Sequence, residues 1–353
     1  MTSADTISRV AMPPKHQQAR HHRDNRLNTG AVRFGLALTL MAVVTLTQGL
    51  GTVLGQEYPV RPIRLVVPQA PGGSADIIAR SVAEPLGRRL GQTVVVENRV
   101  GAGGNIGTAE VARATPDGYT LMLGYVGTLA INPSLYGSVP FDPIESFVSI
   151  VGLADVPLLL VTRSEFPARN LDELIEIAKA RTLSYGSAGN GTMNHMNGEL
   201  INAAARVKLQ HVPYKGVAFA VTDVLGGQID LSFASIPSVV SNIRAGRLKA
   251  LAVSSAVRTR AFPDVPTMLE SKSAPVSMST WYSIMAPRGL APAIVTRVHD
   301  ETLRVMETPA IKERLEALGA IAWPLGQDEL LGVIRQDLAR WAPIVKASGA
   351  RID

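Results

Sequence analysis

In two places an apolar strand gives way to a helix through a turn rich in glycine and small polar side chains. Pro71-Gly72-Gly73-Ser74 follows the β-branched run Ile63-Arg64-Leu65-Val66-Val67. Ser187-Ala188-Gly189-Asn190-Gly191-Thr192 follows a strand pattern at residues 183–185 and opens a helix running through Leu200. A third opening lies at Thr128, placed to cap a short helix over residues 129–136. Glycines at such junctions let backbone N–H groups approach a ligand, and a helix start adds roughly half a positive charge. That chemistry suits a carboxylate or a phosphate. A Pro-Gly-Gly turn on its own is more often punctuation. Its repetition in two parts of the chain points to a ligand held in a crevice at the carboxyl ends of strands. The candidate contacts are the backbone N–H groups of Gly72 and Gly73 and the side chains of Ser74, Thr128, Ser187, Asn190 and Thr192.

Other chemistries lack their residues. Gly101-Ala102-Gly103-Gly104-Asn105-Ile106-Gly107 evokes a dinucleotide fingerprint, but its third glycine comes one residue late and no acidic residue follows on the next strand. It reads as a turn. There is no G-x-x-x-x-G-K-[ST] loop and no G-x-S-x-G elbow. His195 and Glu199 share a helix face, but catalytic zinc wants a third ligand, and a structural role is the better reading. Asp155, Asp223 and Asp230 show no pairing suited to acid–base work, and Lys215 reads as a solvated loop cation. Beyond the leader only His195, His211 and His299 remain, too few to furnish a triad easily, and the chain has no cysteine. No catalytic residue, metal ligand or cofactor is expected.

The elements that must position these turns alternate. Ile78, Val82, Leu86 and Leu90 recur every four residues along one helix face, with Pro85 expected to kink it. Strand patterns at residues 93–96 and 119–123 flank a helix at 106–114. After Pro157 the alternation restarts with a strand at 158–161, then a helix capped by Asn170 with Glu173 completing a capping box. Val217, Val221, Val224 and Leu225 mark another helix; Ile229, Leu231 and Phe233 alternate as a strand, and 248–253 is a further one. Three helices form the tail: 292–306, one opening at Thr308-Pro309, and a long one with Leu330, Ile334, Leu338, Trp341 and Val345 on one face. This is α/β patterning of the parallel, doubly wound kind. The tail either forms a third module or returns to the first α/β unit, with chain crossings near residues 153–156 and 281–285.

A chain of 353 residues suits two domains, and 46% hydrophobic residues with 5% aromatics describe a globular protein. The formal charge of +6 invites nucleic acid as a partner, but residues 1–55 hold six of the 35 basic residues against two of the 29 acidic ones. What remains, 29 basic against 27 acidic residues, is nearly neutral and scattered, so no nucleic acid is expected. The leader itself has a basic stretch ending at Arg33, an apolar run over 34–54, and small residues Val53 and Gly55 at the positions a signal peptidase reads. Residues 1–55 are therefore expected to be a cleaved signal peptide, with export to the periplasm and a mature start at Gln56. The polar, glycine-rich end of the run is poor material for a membrane span of about 20 residues.

Taken together, a series of segments carries a family resemblance. Tyr58-Pro59, Arg61-Pro62-Ile63-Arg64-Leu65-Val66-Val67-Pro68, Ala70-Pro71-Gly72-Gly73-Ser74 and Val95-Val96-Glu97-Asn98-Arg99 come first. They are followed by the 101–107 glycine run, Pro116-Asp117-Gly118-Tyr119-Thr120, Ile131-Asn132-Pro133-Ser134-Leu135-Tyr136, Gly189-Asn190-Gly191-Thr192, His211-Val212-Pro213-Tyr214-Lys215-Gly216 and Phe262-Pro263-Asp264-Val265-Pro266-Thr267. From Tyr58 to the C-terminus the chain resembles the Bug family of extracytoplasmic solute receptors, which serve tripartite tricarboxylate transporters. The resemblance implies a type II periplasmic binding protein fold, with two doubly wound lobes joined by two crossing strands and the tail helices back on the first lobe. Lobe 1 would span 56–155 plus 281–353 and lobe 2 would span 156–280. It implies a ligand carboxylate held by main-chain groups and ordered water between the Pro-Gly-Gly loop, the segment at Thr128 and the 187–192 loop. A monomer delivering its ligand to membrane permease subunits is expected. A sensor subunit reporting to a signalling kinase is the alternative, and an enzyme using the same cleft is the remoter one.

Two positions depart from the family pattern. Gln69 stands where an aromatic is common. Ala234, in Phe233-Ala234-Ser235, stands where many relatives carry an Asp that would pair with a ligand ammonium. An unaminated mono-, di- or tricarboxylate is therefore expected.

Overall fold

Four of the five side chains of β1 (Ile63–Val67) are buried, as in a strand with both faces of its sheet covered. The computed structural model describes residues 58–352, so the expected leader and the cleavage before Gln56 lie outside the described residues. After β1 come α1 (Ser74–Leu90), β2 (Val94–Asn98), α2 (Asn105–Ala112), β3 (Thr120–Tyr125), a wide π turn (Gly127–Ile131), α3 (Asn132–Leu135) and β4 (Phe147–Val156). Pro157 then separates β4 from β5 (Leu158–Arg163). There follow α4 (Leu171–Ala180), β6 (Leu183–Ser187), α5 (Met193–Ala205), β7 (Leu209–Pro213), α6 (Val217–Leu225), β8 (Leu231–Ser235), α7 (Ile236–Arg244) and β9 (Leu248–Val253). The chain closes with β10 (Thr280–Pro287), α8 (Pro292–Met306), α9 (Pro309–Ala317), β11 (Ile321–Ala322) and α10 (Gln327–Ser348).

The strands form two sheets, ordered β2-β1-β3-β10-β4-β11 and β7-β6-β8-β5-β9. Each has a parallel trio with its first strand in the middle, β1 between β2 and β3, and β6 between β7 and β8. Each trio is extended by an antiparallel strand, β10 beside β3 and β5 beside β8. Those two strands follow the crossings. One passes through Pro157; the other runs from β9 to β10. Ser254 ties them: Leu158 N–H donates to its hydroxyl at 2.9 Å, Ser254 N–H to the Leu158 carbonyl at 2.9 Å, and Met278 N–H to the Ser254 carbonyl at 2.7 Å.

The tail helices return to the first sheet. Helix α8 lies on α1 and β4, and α9 on α1. Ile78, Val82, Leu86 and Leu90 of α1 are buried against the same sheet, each worth about 1.5–3 kcal/mol relative to exposure. Leu330, Ile334, Trp341 and Val345 of α10 share a cluster with Leu129 and Leu135 of the first half and with Met196 and Leu200 of the second. Trp281 on β10 anchors this helix by donating its indole N–H to Asp337 at 2.8 Å. Among the described residues no helix is long and apolar enough to cross a membrane.

Local readings shift in three places. Helix α1 runs through Pro85 without ending. Asn170 caps α4 by accepting from Glu173 N–H at 2.9 Å, but the Glu173 carboxylate reaches Arg169 N–H at 2.8 Å instead of closing the box on Asn170. The 101–107 run is not a simple turn. It is a tight 3-10 turn (Ala102–Gly104) leading into α2.

Candidate ligand-binding site

The first loop presents fewer donors than its glycines suggest. Gly72 adopts φ +81°, and its N–H is already given to the Asp76 carboxylate at 3.0 Å. Gly73 is the extended cap residue before α1, and Ser74 is its first helical residue. First-turn amides of a helix have no partner within it, so Gly73 and the first residues of α1 carry amides without an intrahelical partner, whereas the Gly72 amide is taken. Burial would raise the pKa of Asp76, but hydrogen bonds from Arg80 and the Gly72 N–H hold it below the usual carboxylate range.

The 101–107 run packs against Pro68, just after β1 and three residues before this loop. At Gly104, φ +96°, a Cβ would lie 2.8 Å from each of the Pro68 carbonyl, the Tyr125 hydroxyl and the Thr128 methyl, so only glycine allows the approach. The Gly103 carbonyl accepts from the Tyr125 hydroxyl at 2.6 Å and from Asn132 at 3.1 Å; Asn132 also donates to Asn105 Oδ1 at 2.7 Å. Tyr125 stacks on Tyr282, and burial pushes its hydroxyl up to about 12. Thr128 does not cap a helix. It lies inside the π turn, fully buried, with its hydroxyl 3.5 Å from the Tyr125 carbonyl. Tyr125 and Asn132, which the candidate contacts do not include, hold the glycine run, and Asn132 ties it to Asn105; the sequence signal for them is the glycine run itself.

The second loop folds around its own hydroxyls. Ser187 is fully buried; its Oγ accepts from Gly189 N–H at 3.0 Å and lies 3.1 Å from the Gly189 carbonyl and 2.6 Å from His211 Nε2. Thr192 caps α5, accepting from His195 N–H at 3.4 Å and donating to the Gly189 carbonyl at 2.7 Å. Gly191 N–H donates to His195 Nδ1 at 3.0 Å. Asn190 is exposed at the tip. The loop abuts the first half of the protein: a Cβ on Gly191 would lie 2.3 Å from Leu135 Cδ2 at the end of α3. The loops at residues 101–104 and 187–192 thus both border the segment that follows β3.

The chain matches the model of the tripartite tricarboxylate transporter family receptor over residues 78–350. It belongs to that family. The protein BugT of Bordetella pertussis is 38% identical over 319 residues, covering 89% of this chain and 98% of the relative. The solved periplasmic binding protein BugD is 38% identical with a TM-score of 0.68, covering 83% of this chain and 99% of that one. A Rhodopseudomonas palustris protein solved with adipate is 31% identical with a TM-score of 0.70, covering 83% and 98%. The protein MatC from Rhodopseudomonas palustris, solved with bound malate, is 31% identical with a TM-score of 0.67, covering 82% and 100%. The fold of this receptor is that of the periplasmic binding proteins, in two doubly wound halves.

Not every candidate lies where a ligand could touch it. Ala234 of the receptor pairs with Leu159 across the β8–β5 ladder, and its methyl is fully buried among Leu159, Ala220 and Val253. It lines no wall, because strand alternation turns it into the core. His195 and Glu199 belong to a structural network: Tyr185 donates to Glu199 at 2.8 Å, and His195 Nε2 lies 3.7 Å from the same oxygen. Among the described residues no group of three or more His, Cys, Asp or Glu side chains could hold a metal. A groove of about 600 Å³ between residues 257–261 and 312–322 is lined by none of the candidates.

Proposed function

We propose that this receptor captures a small, unaminated carboxylate in the periplasm by closing two lobes, residues 56–155 plus 281–353 and residues 156–280, over it. A cleaved leader of residues 1–55 would export it, and the closed monomer would deliver its ligand to the membrane subunits of a tripartite transporter. The observation that carries this reading is the matched pair of loops. Each follows the middle strand of its parallel trio, β1 or β6, each opens a helix, and the second lies against the first half at Leu135. The relatives solved with adipate and malate support a carboxylate as the ligand.

The absence of an amino group on the ligand rests on the acidic group built into the first loop. Asp76 is buried and already paired with Arg80, so it offers no free charge to an ammonium. Ligand stabilises the closed state by its differential affinity for it. Ser187 Oγ and His211 Nε2 lie 2.6 Å apart, but the hydroxyl is fully buried and accepts the Gly189 N–H, which supports a loop-holding role and a receptor that binds its ligand.

A thermal-shift screen of the protein, stripped of ligand by denaturation and refolding, tests the reading. At 100 times its dissociation constant a ligand stabilises by about 2.7 kcal/mol. One carboxylate should raise the melting temperature and its amide should not. A response to glutamate or aspartate instead would overturn the unaminated class.

A further inference from the structure

Gln69 and Gly72 stand at the two ends of the turn that carries the first loop, and three side chains outside the turn connect them. The Gln69 carbonyl accepts from Asn98 Nδ2 at 3.0 Å, and Asn98 Oδ1 accepts from Arg80 Nη2 at 3.1 Å. Arg80 Nε reaches both Asp76 oxygens at 3.0 and 3.1 Å, and Asp76 Oδ2 accepts the Gly72 N–H at 3.0 Å. The path runs unbroken from the carbonyl at one end of the turn to the amide at the other. It draws on α1 and on the last residue of β2, so it also locks the turn to the sheet.

We propose that Asp76, Arg80 and Asn98 are positioning residues that set ligand affinity by holding the Gln69–Gly72 turn in its binding shape before ligand arrives. The inference rests on the carboxylate reading above. None of the three touches the ligand. Asp76 takes the Gly72 N–H out of recognition and leaves Gly73 and the first amides of α1 to face the cleft. Arg80 neutralises Asp76, so the carboxylate does not oppose an incoming anion at a helix start that would otherwise attract it. Asn98 fixes the opposite end of the turn. A loop already in its bound shape avoids the loss of affinity that follows when the competent state is only fractionally populated.

The relay predicts a pattern that a merely structural role would not give. In the full chain, Asp76→Ala and Asn98→Ala should each weaken binding of malate or adipate, measured by calorimetry well below the melting temperature, by about tenfold. The double variant should be little worse than either single one, because each already breaks the same path. Asp76→Asn keeps an acceptor for Gly72 and should recover most of the affinity. In the ligand-free protein, amide exchange at Gly72 should be protected in wild type and fast in Asp76→Ala. Wild-type affinity in both single variants, or fully additive losses in the double, would overturn the relay. If wild type binds neither acid, the same variants are titrated with whichever carboxylate the thermal-shift screen identifies, and no response of wild type to any mono-, di- or tricarboxylate would instead sink the reading on which the relay rests.

Discussion

His195 and His211 lie ring on ring, with centroids 3.8 Å apart and planes 14° from parallel, and each holds a different part of the second loop. His195 Nδ1 accepts the Gly191 N–H, which requires that nitrogen to be unprotonated; His211 Nε2 pairs with the Ser187 hydroxyl. Burial lowers both to about 4, and the neighbouring ring adds to the effect at His195. Their folded values lie below the unfolded value near 6.5, so the unfolded chain takes up protons first. The contribution of the pair is full above about pH 6.5 and is lost as pH falls toward 4. After allowance for partial exposure this is on the order of 1–3 kcal/mol. Urea denaturation from pH 7.5 to 4.5 should show the decline, and His195→Gln should flatten it. An equal slope in wild type and variant would refute the assignment.

Asp155 carries the opposite sign. It stands on β4 between Trp281 of β10 and Ile321 of β11, with one carboxylate oxygen buried and unpartnered. Burial pushes its pKa up to about 6, opposed by a hydrogen bond from Ser279 and reinforced by Asp337. The charged form is therefore the costly one. Its contribution to stability is full below about pH 3.8 and lost as pH rises through about 6. Asp155→Asn should stabilise by about 1–3 kcal/mol at pH 7.5, with the gain shrinking toward zero at pH 4. A variant less stable than wild type at pH 7.5 would show that the carboxylate serves a partner.

The fold was legible because its signals are local and strong. The β-branched run at β1, the four-residue spacing along α1 and the restart after Pro157 mark two α/β units. The return of the tail was legible only through the family resemblance, since periodicity shows which face of α10 is apolar but not which sheet receives it. The site was legible as loops and not as atoms. Residue type marks Gly72, Ser187 and Thr192 as donors or contacts, but whether a hydroxyl or amide is free depends on rotamers and neighbours such as Asp76, Gly189 and His211. Ala234 shows the same limit. The family resemblance matches it to an Asp that would face a ligand ammonium, but the pleat puts alternate residues on opposite faces, and the methyl is buried in the core.

Ser187 and Asn190 should separate under mutation. Asn190 is exposed at the loop tip, so Asn190→Ala should leave the melting temperature unchanged and lower affinity. Ser187→Ala leaves the Gly189 N–H and His211 ring without their partner and should cost about 1–3 kcal/mol of stability. Thermal melts with calorimetric titration of the identified acid check both. A destabilised Asn190→Ala, or a fully stable Ser187→Ala, would reverse the assignment.

Gly72 and Gly104 both need positive φ, but they differ in what surrounds them. A Cβ on Gly72 meets nothing within 4 Å, so Gly72→Ala should cost only the left-handed penalty of about 1–2 kcal/mol. A Cβ on Gly104 would press on the Pro68 carbonyl, which belongs to the backbone just after β1 and cannot rotate away. Relief requires the 101–104 turn to move off Pro68 and Thr128, breaking the Tyr125 and Asn132 bonds to Gly103. Gly104→Ala should therefore lose clearly more stability than Gly72→Ala. It should also weaken ligand binding at temperatures where the variant is folded, because Pro68 leads directly into the first loop. Urea denaturation of both variants, with calorimetry of the folded fraction, decides the matter. Equal losses in the two would mean that the 101–104 turn yields, and that it does not brace the loop.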